Sequence, residues 1–442
     1  MTGVKPLHRL RSVRLVGWSV SGAAAHALFG AVTTIILARA LGPEGLGAYG
    51  VFLAVAFLLN QVGDLGLGTA YVRLATPVFQ SSGDARRLTW TFFQARFVAV
   101  AVLALGVVVA ARLLDRPAPD DGPLSVLLPA AAAAVLMAVG SHYNEVLRAR
   151  LAHRAAAAIR GTLGAVRALA FATLFSLGAL NLGAAVAVAL LVTATESVAL
   201  AALGHRGATL WPPVTPRFER AWLTLSWWLF ITSATSALLT QTDTLLLAWL
   251  GGEVETGLWV AASRLVGPIP LLVGAVWSVV LPISMALGDP AKLTRYLTLS
   301  WRTSWLALAT CALATLVIAP VVTLCFGSSY ADTIPAARWL LFAFGANVAA
   351  ILYGGLIHRL GFERDLAAVS AVLLAINVVG DVALIPRFGA TGCAVVTAIV
   401  LLTGAVWTVW RVERARPTLL AAVANGEPIP APPDREAVTT HG

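Results

Sequence analysis

Seven charged side chains stand inside long apolar stretches of this sequence: Asp64, Arg96, Arg167, Glu196, Asp243, Arg264 and Asp381. A charge at the centre of a hydrocarbon layer costs ~2.5–3.5 kcal/mol or more, so each such residue is a functional candidate that needs a partner. Arg264 lies ~10 Å along an apolar run that begins near Gly257. A guanidinium there can grip a phosphate with paired donors, which a lysine does less well. Its alternatives are an ion pair within the bundle or a side chain that snorkels to the interface. Asp243 falls ~9 Å from the corresponding end of the preceding run. At that depth it can pair with Arg264 until a phosphate competes, or take up a proton or Na⁺. These two form the expected substrate-binding pair.

The remaining charges divide by depth. Asp64 is flanked by Gly63, Gly66 and Gly68, which weaken a helix and permit close packing, so gating or coupling is expected of it. Pro268 and Pro270 follow Arg264, and proline inside a helix kinks the axis and frees a carbonyl. A bent helix there suits a moving gate or a static kink. Arg167 and Glu196 come out ~13 Å and ~12 Å along neighbouring runs, which predicts a structural ion pair. Arg96 is near enough to an end to snorkel, Asp381 and Arg387 flank a turn, and His26 reads as a packing residue. The sequence contains no P-loop, HExxH, GxSxG or CxxC, so no catalytic residue, metal or cofactor is expected. Asp115, Asp120 and Asp121 sit in a short proline-containing loop and read as solvated.

The elements that carry these residues follow from composition. Of the 442 residues, 59% are hydrophobic and 12% charged, with mean hydropathy +0.83. Soluble domains carry about 25% charged residues. A chain this apolar needs lipid as its main solvent, which excludes a cytosolic enzyme, a secreted module and a disordered protein. The formal charge of +10 comes from 31 basic residues, of which only Lys5 and Lys292 are lysine. No soluble basic patch interleaved with aromatics is present, so loop arginines that orient membrane spans explain the charge better than nucleic acid. Cys311, Cys325 and Cys393 form no framework and read as small buried residues.

The hydropathy pattern predicts an all-α polytopic membrane protein with twelve spans, near 15–38, 46–72, 90–112, 124–147, 158–178, 183–204, 221–249, 257–286, 300–325, 334–357, 366–385 and 389–411. Helices are required because lipid satisfies no backbone group, and no alternating ten-residue strands occur. The first span is too long for a signal peptide. Five basic residues fall at one set of loop ends (Arg39, Arg112, Arg116, Arg338, Arg387). Apart from Arg96, Arg167 and Arg264 within spans, all the others fall at the opposite set. That asymmetry predicts both termini in the cytoplasm. The stretch 205–220 reads as a stiff, proline-bearing cytoplasmic linker between an N-terminal lobe at 1–204 and a C-terminal lobe at 221–412. Residues 413–442 read as a disordered tail.

The two halves echo each other. Leu41-Gly-Pro-Glu44 with Gly47-Ala-Tyr49 follows the first span, and Leu250-Gly-Gly-Glu253 with Gly257-Leu-Trp259 follows the seventh. Six spans per half is an even number, so the repeat is parallel, and parallel repeats place a site near the midplane at their interface.

Four stretches then take on a familiar order. They are Ala38-Arg-Ala-Leu-Gly-Pro-Glu-Gly-Leu-Gly-Ala-Tyr49 continued by Asp64-Leu-Gly-Leu-Gly68; Gln241-Thr-Asp-Thr-Leu-Leu-Leu247 followed by Gly257 to Arg264-Leu265; Phe326-Gly-Ser-Ser-Tyr330; and Ile376-Asn377 followed by Ile385-Pro-Arg-Phe-Gly-Ala-Thr-Gly392. Over about residues 15–410 the chain resembles the polysaccharide or oligosaccharide flippases of the multidrug/oligosaccharidyl-lipid/polysaccharide exporter superfamily. Twelve spans fit the polysaccharide branch; the lipid II flippase branch usually carries two more. The resemblance implies a V-shaped pair of six-helix lobes with alternating access, and an arginine at the place of Arg264. It implies a polyprenyl-diphosphate-linked oligosaccharide as substrate, moved across the cytoplasmic membrane for surface polysaccharide synthesis. Membrane lipids, a polymerase and glycosyltransferases are the expected partners. Two other readings stay open: an ion-coupled multidrug or small-molecule exporter of the same superfamily, and a membrane enzyme or scaffold without a transport cycle.

Overall fold

The computed structural model describes residues 6–81, 84–114, 124–205, 220–269, 284, 287–360 and 362–425. Residues 206–219 of the expected linker 205–220, the acidic loop at 115–123 and the side chain of His26 lie outside the described residues. Among the described residues the protein is helical throughout. Its elements are α1 Pro6–Gly63, α2 Leu67–Gln80, α3 Arg86–Leu114, α4 Leu124–Ala149, α5 His153–Ser176, α6 Leu182–Gly204, α7 Arg220–Leu250, α8 Gly252–Val266, α9 Pro290–Phe326, α10 Thr333–Arg359 and α11 Glu363–Asn425. Eight of the described helices are long and apolar enough to cross a membrane.

Two of those eight are bent. Gly42 (φ 68°, ψ −178°) divides α1, and Gly389 (φ 50°, ψ −134°) divides α11. Both residues adopt positive φ, which only glycine does without a Cβ clash. In α11 the two arms run back along each other as a hairpin. Asp365 meets Arg411 across it, Gly380 faces Val396, and Gly392 lies against the Leu384 carbonyl. With the arms of α1 and α11 taken separately, every one of the twelve expected spans finds a helix. The eighth is followed as far as 269.

Local signals start the helices where capping chemistry provides them. Asn181 caps α6, its Oδ1 accepting from the Ala184 amide at 2.9 Å. Asp289 caps α9 by accepting from the Ala291 amide at 2.8 Å, with Pro290 in the first turn. Each such cap satisfies an amide that the helix leaves without a partner, worth ~1 kcal/mol.

The helices gather into two compact units, Met1–Val260 and Ala261–Gly442. In the first, α1 packs on α4, α5 and α7, and α4 packs on α6. One core cluster joins Tyr71, Phe92, Tyr143, Val146, Leu147 and Leu200. In the second, α10 packs on α9 and α11. Large apolar residues also point outward, among them Leu105, Leu169, Leu191, Leu316 and Leu324, at 64–75% exposure. Outward leucines on this scale suit hydrocarbon rather than water.

The expectation of a tail without structure from residue 413 is corrected as far as Asn425. Helix α11 continues to that residue, and Leu419 and Val423 join Leu293, Leu297, Leu356 and Ile357 in a buried cluster. The reason is spacing: Val412, Leu419 and Val423 recur at helical intervals and form an apolar stripe. Pro417 lies inside the helix.

Candidate functional site

The second expected span is broken at its charge. The second arm of α1 ends at Gly63, and α2 starts at Leu67. Between them Leu65 has φ 49° and Gly66 has φ 71°. A leucine in the left-handed region is uncommon and costs ~1–2 kcal/mol, so the surroundings must hold the break in place. Asp64 supplies much of that hold. Both of its carboxylate oxygens accept from the Gly68 amide, at 3.2 and 3.3 Å. Its charge therefore sits at the positive end of α2. The Arg96 guanidinium from α3 donates to Asp64 Oδ1 at 2.8 Å.

The glycines noted around Asp64 have steric roles. A Cβ on Gly68 would come to 3.1 Å from the Asp64 carboxylate and 3.4 Å from the Arg96 guanidinium. A Cβ on Gly63 would collide with Val100 of α3. Small residues at both places let two helices and an ion pair share one level of the bundle.

This corrects the reading of Arg96 as a snorkelling residue. It is 4% exposed and Asp64 is 8% exposed. The arginine turns inward because the broken span presents a carboxylate. Other polar groups share this interior. Asn60 (α1) donates to Ser141 Oγ (α4) at 3.4 Å, and the buried His142 ring lies 5.4 Å from Tyr71 and 5.3 Å from Phe93. Arg96 Nε, His142 Nε2, Asn60 Oδ1 and Thr91 Oγ1 have no hydrogen-bond partner among the described residues. A buried polar atom left so costs ~1–3 kcal/mol, which sets this interior apart from an inert core.

The predicted pair of Arg167 and Glu196 is also corrected. Glu196 Oε1 is met at 3.2 Å by Arg160 Nε, while Arg167 Nε is buried without a hydrogen-bond partner among the described residues. The reason is the origin from which depth is counted: residue 158 in the hydropathy pattern, His153 in α5 itself. The shift moves Arg167 ~7 Å further along and brings Arg160 level with Glu196.

Asp243 is buried in α7, at 7% exposure. Arg264 lies in the last turn of α8 and is exposed. A cation there complements the negative end of the helix. Helix α8 stops at Val266, so the chain does break just before Pro268, which is exposed; Pro270 lies outside the described residues. Asp381 lies in the first arm of α11. It is 0% exposed, on the same helical face as Asn377 at 3%. Its carboxylate lies within 4.8 Å of the Cys393 Sγ on the returning arm of the α11 hairpin. The i, i+4 spacing of Asn377 and Asp381 was the available signal for this second buried polar cluster.

Comparison with known proteins follows the same lines. The family model described as polysaccharide biosynthesis protein matches residues 12–287. No curated protein matches in sequence. Among solved structures, the lipid II flippase MurJ in an inward closed conformation is similar, with 13% identity over 92% of this chain and 90% of that one and a TM-score of 0.69. An inward-facing MATE-family multidrug resistance transporter of the MOP superfamily matches with 18% identity, over 93% and 99% of the two chains, at 0.61. A MOP superfamily transporter from Pyrococcus furiosus, described as having a binding pocket of reversed polarity, matches with 16% identity, over 93% and 96%, at 0.58. At these identities the likeness is one of fold alone, an all-helical one.

Proposed function

From the premise that this chain belongs to the polysaccharide biosynthesis protein family, we propose that it flips a polyprenyl-diphosphate-linked oligosaccharide across the cytoplasmic membrane. The lobes at 1–204 and 221–412, joined by the cytoplasmic linker 205–220, alternate access, with both termini inside. Its role is transport, not catalysis. The diphosphate is drawn by Arg264, the sugar crosses with it and the lipid tail stays in the bilayer. Asp243 competes for Arg264 and assists release, and Asp64 acts in gating. Resetting draws on an ion gradient or on the membrane potential, worth ~2.3 kcal/mol per charge per 100 mV. A polymerase and glycosyltransferases are the partners this role calls for.

The observation that supports this most is Arg264 itself. It is an exposed guanidinium at the end of α8, just before the helix stops at Val266. Paired donors make Arg a better phosphate ligand than Lys. Arg264→Lys is therefore expected to keep the fold and lose much of its affinity for a lipid diphosphate, and Arg264→Ala to lose more. Asp243→Asn is expected to retain or tighten binding while turnover falls. Binding of polyprenyl diphosphate to each purified variant, measured beside transport, checks all three. Unchanged binding and transport in Arg264→Ala would remove the site.

The likeness to multidrug transporters supports a second reading, export of a small molecule. It expects dye or drug efflux with surface glycan unaffected by deletion of the gene.

A further inference from the structure

Within the unit Ala261–Gly442, two helices mark one membrane boundary. The Tyr353 hydroxyl lies 3.4 Å from the Leu297 carbonyl of α9 and 3.3 Å from Glu413 Oε1 of α11, so residues 297 and 413 stand at one level. About one helical turn from that level, toward the turn at Gly389, lie Trp301 on α9 and Trp410 on α11, 49% and 51% exposed. Trp410 comes ~32 Å along its arm from Gly389, which matches the ~30 Å thickness of a hydrocarbon core. Exposed tryptophans at one level are the aromatic belt of a membrane–water interface.

On the hydrocarbon side of that belt, α11 borders a cavity of about 460 Å³ lined by Leu402, Thr403, Val406, Trp407 and Trp410. Pockets of ~300–1,000 Å³ hold small ligands. Trp407 packs against the buried cluster that holds Leu297 and Val412, which fixes one wall, and Val406 is 65% exposed. Thr403, Val406, Trp410 and Arg414 recur every three or four residues and form one stripe, opposite the stripe of Val412, Leu419 and Val423 that faces the core. Arg414 therefore stands at the mouth of the groove, on the water side of the belt. It is exposed, with its guanidinium 5.4 Å from the Trp410 ring centroid. Its neighbours Arg411 and Arg416 are paired with Asp365 and Glu413; among the described residues Arg414 has no carboxylate partner. An uncompensated cation at the mouth of an apolar groove complements a phosphate attached to a hydrocarbon chain.

We propose that this groove binds an anionic phospholipid of the leaflet on the side where α11 ends, its phosphate on Arg414 and an acyl chain against Val406, Trp407 and Trp410. On the topology proposed above this is the cytoplasmic leaflet, whose surface is negative. Arginine presents paired donors to a phosphate, and the Trp410 ring holds the guanidinium at the interface. A zwitterionic lipid brings an ammonium group near Arg414 and loses the advantage. The diphosphate of the proposed transport substrate carries more charge than one guanidinium balances, so a phospholipid is the better match.

The test titrates the full-length protein in detergent with phosphatidylglycerol or phosphatidylcholine and counts bound lipid by native mass spectrometry. The site predicts a preference for phosphatidylglycerol of about fivefold, the effect of one arginine near a charged surface. Arg414→Gln removes that preference and Arg414→Lys keeps part of it. Val406→Trp, which fills the groove from its exposed side, weakens binding of both lipids. Arg302→Gln is the control: Arg302 is exposed beside Trp301 but on another helix, and its change leaves both affinities as they were. No preference in the unmodified protein, or equal losses from Arg302→Gln and Arg414→Gln, overturns the site. A lower unfolding temperature for Arg414→Gln with the preference unchanged assigns the arginine to packing and overturns it as well. Polyprenyl diphosphate that outcompetes phosphatidylglycerol, in a manner lost in Arg414→Gln and kept in Arg264→Ala, gives the groove to the substrate and overturns the phospholipid. Green fluorescent protein fused after Gly442 reads the topology separately. A dark fusion overturns the cytoplasmic assignment of the leaflet, while the lipid preference still decides the site.

Discussion

At the scale of single residues, burial separates the ion pairs. Arg96 and Asp64 have side chains 5% and 12% exposed, whereas Arg160 and Glu196 are 41% and 29% exposed. Removing one partner of a buried pair leaves a charge without compensation, at a cost of ~3–5 kcal/mol. An exposed pair is worth ~0–1 kcal/mol. Arg96→Ala is therefore expected to lower thermal stability in detergent severely, and Arg96→Ala/Asp64→Asn to recover most of it. Arg160→Ala is expected to change it little. Equal losses for the two arginines would contradict this ranking. The sequence marks Asp64, Arg96, Glu196 and Asp381 as charges that need an account, but not their partners. A partner depends on where each helix begins, and a displacement of five residues at the start of α5 is enough to put Arg167 where Arg160 belongs.

At the scale of elements, glycine and apolar spacing decide the outcome. The turns at Gly42 and Gly389 and the weakness around Asp64 are legible because glycine marks positive φ and close packing. The break itself is less so, since it needs Leu65 in a conformation its side chain disfavours. Gly66→Ala, at φ 71°, is expected to cost ~1 kcal/mol and to disturb the capping of α2 by Asp64. Thermal unfolding and transport of the variant check this. The end of α11 is easily misread because Pro417 and the charged run Arg411–Arg416 look like a linker, while the Leu419 and Val423 stripe that overrides them is short. Leu419 is fully buried, so Leu419→Ala is expected to cost ~2–5 kcal/mol. An unfolding midpoint like that of the unchanged protein would show that the 413–425 segment contributes nothing to the unit it packs against.

At the scale of the whole molecule, the all-α membrane class follows from composition, and the family from four motifs in order. Neither needs side-chain geometry, which explains why both are legible. The repeat is legible as an echo, and the positive φ shared by Gly42 and Gly252 carries it into the backbone. The substrate rests on chemistry that only a functional measurement reads. The most direct one is translocation of a polyprenyl-diphosphate-linked oligosaccharide in vesicles that contain this protein alone, followed by a sugar-modifying enzyme acting only on the far leaflet. The account predicts protein-dependent appearance of the sugar there, sharply reduced by Arg264→Ala and less so by Arg264→Lys. Vesicles that extrude ethidium while every sugar stays on its original leaflet would contradict it.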